Sequence, residues 1–73
     1  MLNREQCESL LETIRKEIGL RETMINNRVD FERYNPDATI EQIKKNQMFI
    51  EKQKNIRQYH IECYEIISEM RWG

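Results

Sequence analysis

The sequence predicts an all-α protein: one small domain spanning residues 1–73, built as an antiparallel hairpin of two long helices. Three observations carry that expectation. Charged residues make up 34% of the chain and hydrophobic ones 38%, a balance characteristic of long amphipathic helices. Two glycines and one proline are too few to punctuate the many turns of a small β-protein. Apolar residues recur three and four apart, the interval that lines one face of a helix.

The first helix is expected over about residues 4–29. Asn3 can cap it, with Gln6 three residues on completing a capping box and Leu2 and Cys7 placed as a hydrophobic staple. Cys7, Leu10, Leu11, Ile14 and Ile18 then follow one face. Gly19 could end the helix in a C-terminal cap or be tolerated at about 1 kcal/mol relative to Ala. The pattern resumes in phase beyond it, because Leu11, Ile18 and Ile25 are seven apart and Met24 lies on the same side. One continuous helix, kinked at most, is therefore the expectation. Arg21 and Arg28 make its second half less apolar than its first.

Residues 30–38 read as the connection. Asn35-Pro36-Asp37 is a turn signal, since proline fixes its own φ and disfavours helix in the residue before it. The second helix is expected over about residues 39–71, opened by Thr39 as N-cap, Gln42 as its capping-box partner, and an Ala38–Ile43 staple. Neither Gly nor Pro interrupts it before Gly73. At 1.5 Å per residue it would span roughly 48 Å. Phe49, Ile56, Cys63 and Met70 are spaced by seven, with Tyr59, His60, Ile66 and Ile67 between them, a heptad-like inward seam. Lys45 and Lys52 sit where that seam calls for apolar groups.

A short connection makes the helices antiparallel neighbours. Folding about residues 34–35 would bring Cys7 level with about residue 62, place the packed core near the termini, and leave the loop end the more mobile one. Met48, Ile50, Ile61 and Tyr64 would then lie off the seam, and surplus apolar surface on a small domain marks an association surface. With Phe49 and the terminal Trp72 they form the expected partner contact, Trp being over-represented among binding hot spots. A homodimer closing into a four-helix bundle would cover that surface, as would an unidentified protein partner.

The function classes narrow accordingly. A net charge of −1 gives no global attraction to nucleic acid or anionic membrane. The N-terminus lacks the apolar core of a signal peptide, and no run reaches the ~18 apolar residues of a membrane span. A cytoplasmic protein with free thiols and no membrane partner is the expectation. Residues 57–67, RQYHIECYEII, gather the chain's only histidine with a cysteine and two tyrosines. Cys7, His60 and Cys63 could share a structural zinc or thiol site, but they supply three ligands where such a site needs four. Nothing provides an oxyanion hole or a Gly-rich turn, so no catalytic residue and no cofactor is expected. Asp30, Glu32 and Glu41 match three positions of a calcium loop, yet Tyr34 and Asn35 occupy positions that need a ligating oxygen and a glycine.

A nucleic-acid reading rests on Lys44, Lys45, Lys52, Lys54 and Arg57, five cations against Glu51 in one stretch, which would serve an RNA- or DNA-binding hairpin dimer. They spread over more than half the helix circumference. Glu62, Glu65 and Glu69 farther along give the helix a basic half and an acidic half, which suits antiparallel self-association. The expectation that uses most of the sequence is a non-enzymatic interaction protein, a small regulator, inhibitor or assembly factor that occludes or bridges a partner through an amphipathic helix surface. Chains of this size and shape often serve bacteria and their phages in that way, a prior to which no residue contributes.

Overall fold

A computed structural model describes residues 2–72, and for residues 71 and 72 the backbone alone. It consists of two helices, α1 (Arg4–Tyr34) and α2 (Ile40–Trp72), packed antiparallel along their length. The molecule is a thin slab of 53 × 15 × 12 Å, a single layer of two helices. No described helix is long and apolar enough to cross a membrane.

Both helix starts form as their side chains dictate. The Asn3 side chain accepts from the Gln6 N–H at 2.8 Å, and the Gln6 side chain accepts from the Asn3 N–H at 3.0 Å. Thr39 and Gln42 repeat the exchange at 3.1 and 2.9 Å. Each box satisfies two donors that a helix end otherwise leaves unpaired.

Gly19 neither ends nor divides α1. Its backbone stays helical, and a Cβ built on it would meet nothing within 4 Å. The helix also outruns its expected end near residue 29, continuing to Tyr34. Proline forbids helix only in the residue before it, and Asn35, at φ −127° and ψ 71°, takes that restriction alone. Phe31 and Glu32, expected in the loop, are half-buried members of the helix. The Asn35 side-chain amide donates to the Phe31 carbonyl at 2.8 Å and closes the last turn. The connection then shrinks to residues 35–39, where the Ala38 N–H donates to the Asn35 carbonyl at 3.1 Å across Pro36-Asp37. Proline at the second position of such a turn is pre-set for it.

The largest correction concerns which face of α2 turns inward. Ile50 is buried, at 9% exposed, together with Asn46 and Gln53. Tyr59 and Ile66, expected in the seam, are 64% and 60% exposed, and Met70 is exposed as well. The inner stripe therefore runs through Ile43, Asn46, Ile50, Gln53, Arg57, His60, Tyr64 and Ile67, which keeps heptad spacing but lies one residue out of step with the expected one. Lys45 and Lys52, misfits in the expected seam, fall outside the true one. The inner stripe of α1 is the expected one, with Cys7, Leu11 and Ile25 buried and Ile14 and Ile18 half-buried; Leu10 stands at its exposed edge.

The level of pairing also differs. Arg21 meets Gln53 and Arg28 meets Asn46, so the chain folds about residue 37 and Cys7 stands opposite about residue 67 instead of 62. The core is divided between the two ends: Cys7 and Leu11, its most buried members, lie near the terminus as expected, whereas Ile25 and Ile50 lie toward the loop. Every fully buried described residue of α2 lies between 46 and 53, toward the loop half. Arg57, His60, Tyr64 and Ile67, the inner residues of the terminal half of α2, are half-buried.

Candidate interaction face

Helical geometry assigns each remaining residue to one side of the slab. Neighbouring residues on a helix are about 100° apart, so positions just before the seam leave toward one side and positions just after it toward the other. In an antiparallel pair the two "before" stripes share a side. The contacts agree. The Arg28 guanidinium lies 4.5 Å over the Phe49 ring, in a shallow groove that Phe31, Gln42 and Lys45 also line. On the opposite side, Arg15 meets Tyr64 in a groove that Glu8, Leu11 and Glu12 also line.

The two sides differ in chemistry. From α1 the first presents Gln6, Leu10, Thr13, Glu17, Leu20, Met24, Asn27 and Phe31; from α2 it presents Gln42, Lys45, Phe49, Lys52, Ile56, Tyr59, Cys63, Ile66 and Met70. The second side carries Glu8, Glu12, Arg15, Glu22, Lys44, Glu51, Lys54, Gln58 and Glu65, with Val29 and Ile61 its apolar members. One side is a solvated surface. The other is an open apolar face, and the stripe expected to be the seam of α2 lies along it.

Between the faces the seam holds a polar layer. Arg21 donates to Glu17 and, at 2.8 Å, to the buried Gln53 side-chain carbonyl. The Asn46 amide donates to the Arg28 carbonyl at 2.8 Å and to the Glu32 carboxylate at 3.2 Å. Asn46 Oδ1 and Arg21 Nε are buried without a partner. A buried polar group demands its partner in one alignment, so this layer opposes sliding of the two helices. The sequence carried a signal for it: Arg21 already sat on the apolar face of α1, and a polar side chain there calls for polar groups opposite.

The sequence-derived contact residues land in different places. Met48 is exposed on the outer edge of α2 and Phe49 lies on the apolar face under Arg28. Ile50 belongs to the hairpin core and is not available to a partner in this conformation. Ile61 and Tyr64 are half-buried toward the polar side, where Arg15 donates to the Tyr64 hydroxyl at 2.7 Å. That hydrogen bond raises the guanidinium pKa above its ordinary value. The Trp72 side chain lies outside the described part of the structure. Of the cations, Lys44 and Lys54 emerge on the polar side, Lys45 and Lys52 on the apolar one, and Arg57 is half-buried in the seam, so they form no common stripe.

Cys7, His60 and Cys63 are not brought together as a ligand set. Among the described residues no group of three His, Cys, Asp or Glu side chains could hold a metal ion. Both cysteines are free thiols, Cys7 buried in the seam and Cys63 half-buried on the apolar face. His60 points its Nδ1 at the Ile56 carbonyl, 2.8 Å away, a contact it makes by donating the ring N–H. Its ring meets Tyr59 edge-on at 5.8 Å.

The chain matches no protein-family model, no curated protein and no solved structure.

Proposed function

We propose that the protein is a non-enzymatic interaction module, a small regulator, inhibitor or assembly factor that lays its apolar face against a helical partner and so occludes or bridges it. The asymmetry of the two sides is the observation that carries this reading. Four apolar residues are buried within the hairpin, while among the described residues ten large apolar side chains stay exposed, and five of these, Leu10, Leu20, Tyr59, Ile66 and Met70, lie on the one face. A domain this small usually needs a partner, a metal or disulfides to supplement its own core. Helices of such length also derive most of their stability from packing of an apolar face. Covering Leu20, Tyr59, Ile66 and Met70 would supply what the hairpin itself does not, and rows of apolar groups at i, i+3, i+4 and i+7 are the usual means by which one helix docks on others.

A photo-crosslinking side chain tests this when placed at position 59 on the apolar face and, separately, at position 54 on the polar side. In cells expressing the protein, position 59 is expected to give one discrete adduct and position 54 none. No adduct at 59, or equal adducts at both, overturns the reading.

A further inference from the structure

We infer that the occupant of this face is a second copy of the same chain, laid face to face with the two loops at opposite ends. The inference rests on the interaction reading above and names its partner. Size is the first argument. A slab face 53 Å long and 15 Å wide measures about 800 Å² in plan, the area each partner contributes to a standard stable interface. Two such faces, each a pair of antiparallel helices, close into a four-helix bundle with no face left open.

Charge decides the direction. A two-fold axis lying in the interface and across the helices stacks α2 on its own copy, antiparallel. An axis along the helices puts both loops at one end and stacks α2 on the partner's α1, whose loop half balances Arg21, Arg28 and Arg33 against Glu22, Asp30 and Glu32 and so offers the basic half no opposite charge. From Lys44 to Arg57 that half carries five cations against Glu51, whereas Glu62, Glu65 and Glu69 make the terminal half acidic. Opposite charges held opposite one another favour association, so the arrangement with the loops at opposite ends, which lays the basic half of one α2 on the acidic half of the other, is the complementary one.

The spacing is more specific than the halves. Lys45 and Lys52 are one heptad apart on the face, and Glu62 and Glu69 are one heptad apart along its outer edge; all four are exposed. Pairing Lys45 with the partner's Glu69 and Lys52 with the partner's Glu62 centres both contacts on residue 57. The midpoint of α2, which spans residues 40–72, is residue 56. The alignment that satisfies the charges is therefore centred within one residue of the one that overlaps the two helices end to end. In it Ile56 lies one residue from the axis, and Phe49 falls between the levels of the partner's Cys63 and the partner's Ile66. Such a contact is isologous and closed, which limits assembly to a dimer.

Sedimentation equilibrium and charge exchange test the inference together. The wild-type chain at about 100 μM is expected to show twice its 9.0 kDa mass, with association weakening as salt rises. Lys45→Glu with Lys52→Glu should weaken association about tenfold or more, as should Glu62→Lys with Glu69→Lys, because four attractive contacts per dimer become repulsive. All four changes in one chain should restore it to within about threefold. Circular dichroism is the control for folding, since all four side chains are solvent-exposed. A dimer that the fourfold variant fails to restore overturns the antiparallel arrangement. A monomer overturns the second-copy inference. An adduct at position 59 of some other mass then leaves the interaction reading standing, and no adduct of any mass removes both.

Discussion

Ile50 and Ile66 have the same side chain on the same helix, sixteen residues apart, and the structure assigns them opposite environments. Ile50 is 9% exposed in the seam and Ile66 is 60% exposed on the open face. Truncating a buried Ile to Ala costs about 2–5 kcal/mol, from lost transfer energy and the cavity left behind. A hairpin of this size draws only about 3–5 kcal/mol from its core, so Ile50→Ala is expected to bring the protein to the edge of unfolding in water. Ile66 keeps less than half of its surface buried within one chain, and full burial of such a side chain contributes about 1.5–3 kcal/mol, so its truncation should cost the hairpin about 1 kcal/mol or less. Urea unfolding followed by circular dichroism at several protein concentrations separates hairpin from assembly. The concentration-independent part belongs to the single chain, and the concentration-dependent part to association. Ile50→Ala should collapse the first, and Ile66→Ala should reduce mainly the second. Equal losses in the concentration-independent part, or a larger one at Ile66, would refute the assignment and return the seam to the stripe through Phe49 and Cys63.

Other substitutions read other parts of the account. Gly19→Ala enters open space on a continuous helix, so it should gain about 1 kcal/mol and raise Tm by roughly 4–8 °C; a lower Tm would mean that α1 is broken at that point. Thr39→Ala removes the cap of α2 and should cost about 1 kcal/mol in thermal unfolding, with no change in mass. Arg21→Ala strips the donor from the buried Gln53 carbonyl and leaves Glu17 unpaired, for an expected loss of about 1–3 kcal/mol in urea unfolding. A neutral result there would show that water already satisfies both groups.

Local signals in the sequence were read correctly wherever the chemistry was local. Both capping boxes, the Asn35-Pro36 turn and the inner stripe of α1 depend on residues within a turn or two of one another. The direction of α2 did not yield to the same method. That helix carries two apolar heptads one residue out of step, and the richer one, through Phe49, Ile56, Cys63 and Met70, lies half-buried to exposed on the apolar face. Counting apolar residues therefore selected the wrong face. The true seam contains Asn46, Gln53 and Arg57, which hydropathy places outside and which only the polar layer of α1 draws in. The lysines at 45 and 52 were the sequence's own objection to the first assignment. The end of α1 is hidden for another reason: Asp30 to Tyr34 look like loop residues by composition, while Phe31 and Glu32 pack half-buried in the hairpin and the Asn35 side chain closes the last turn.

The central claim is that the apolar face of the hairpin is the surface on which two copies of the chain associate. Light-scattering masses of three proteins at one concentration test it most directly: wild type, Ile66→Asp on the apolar face, and Gln58→Asp on the polar side. Both variants add one negative charge at an exposed position of α2. The account expects twice the 9.0 kDa chain mass for wild type and Gln58→Asp, and a single chain for Ile66→Asp. Three monomers, or three dimers, would contradict it.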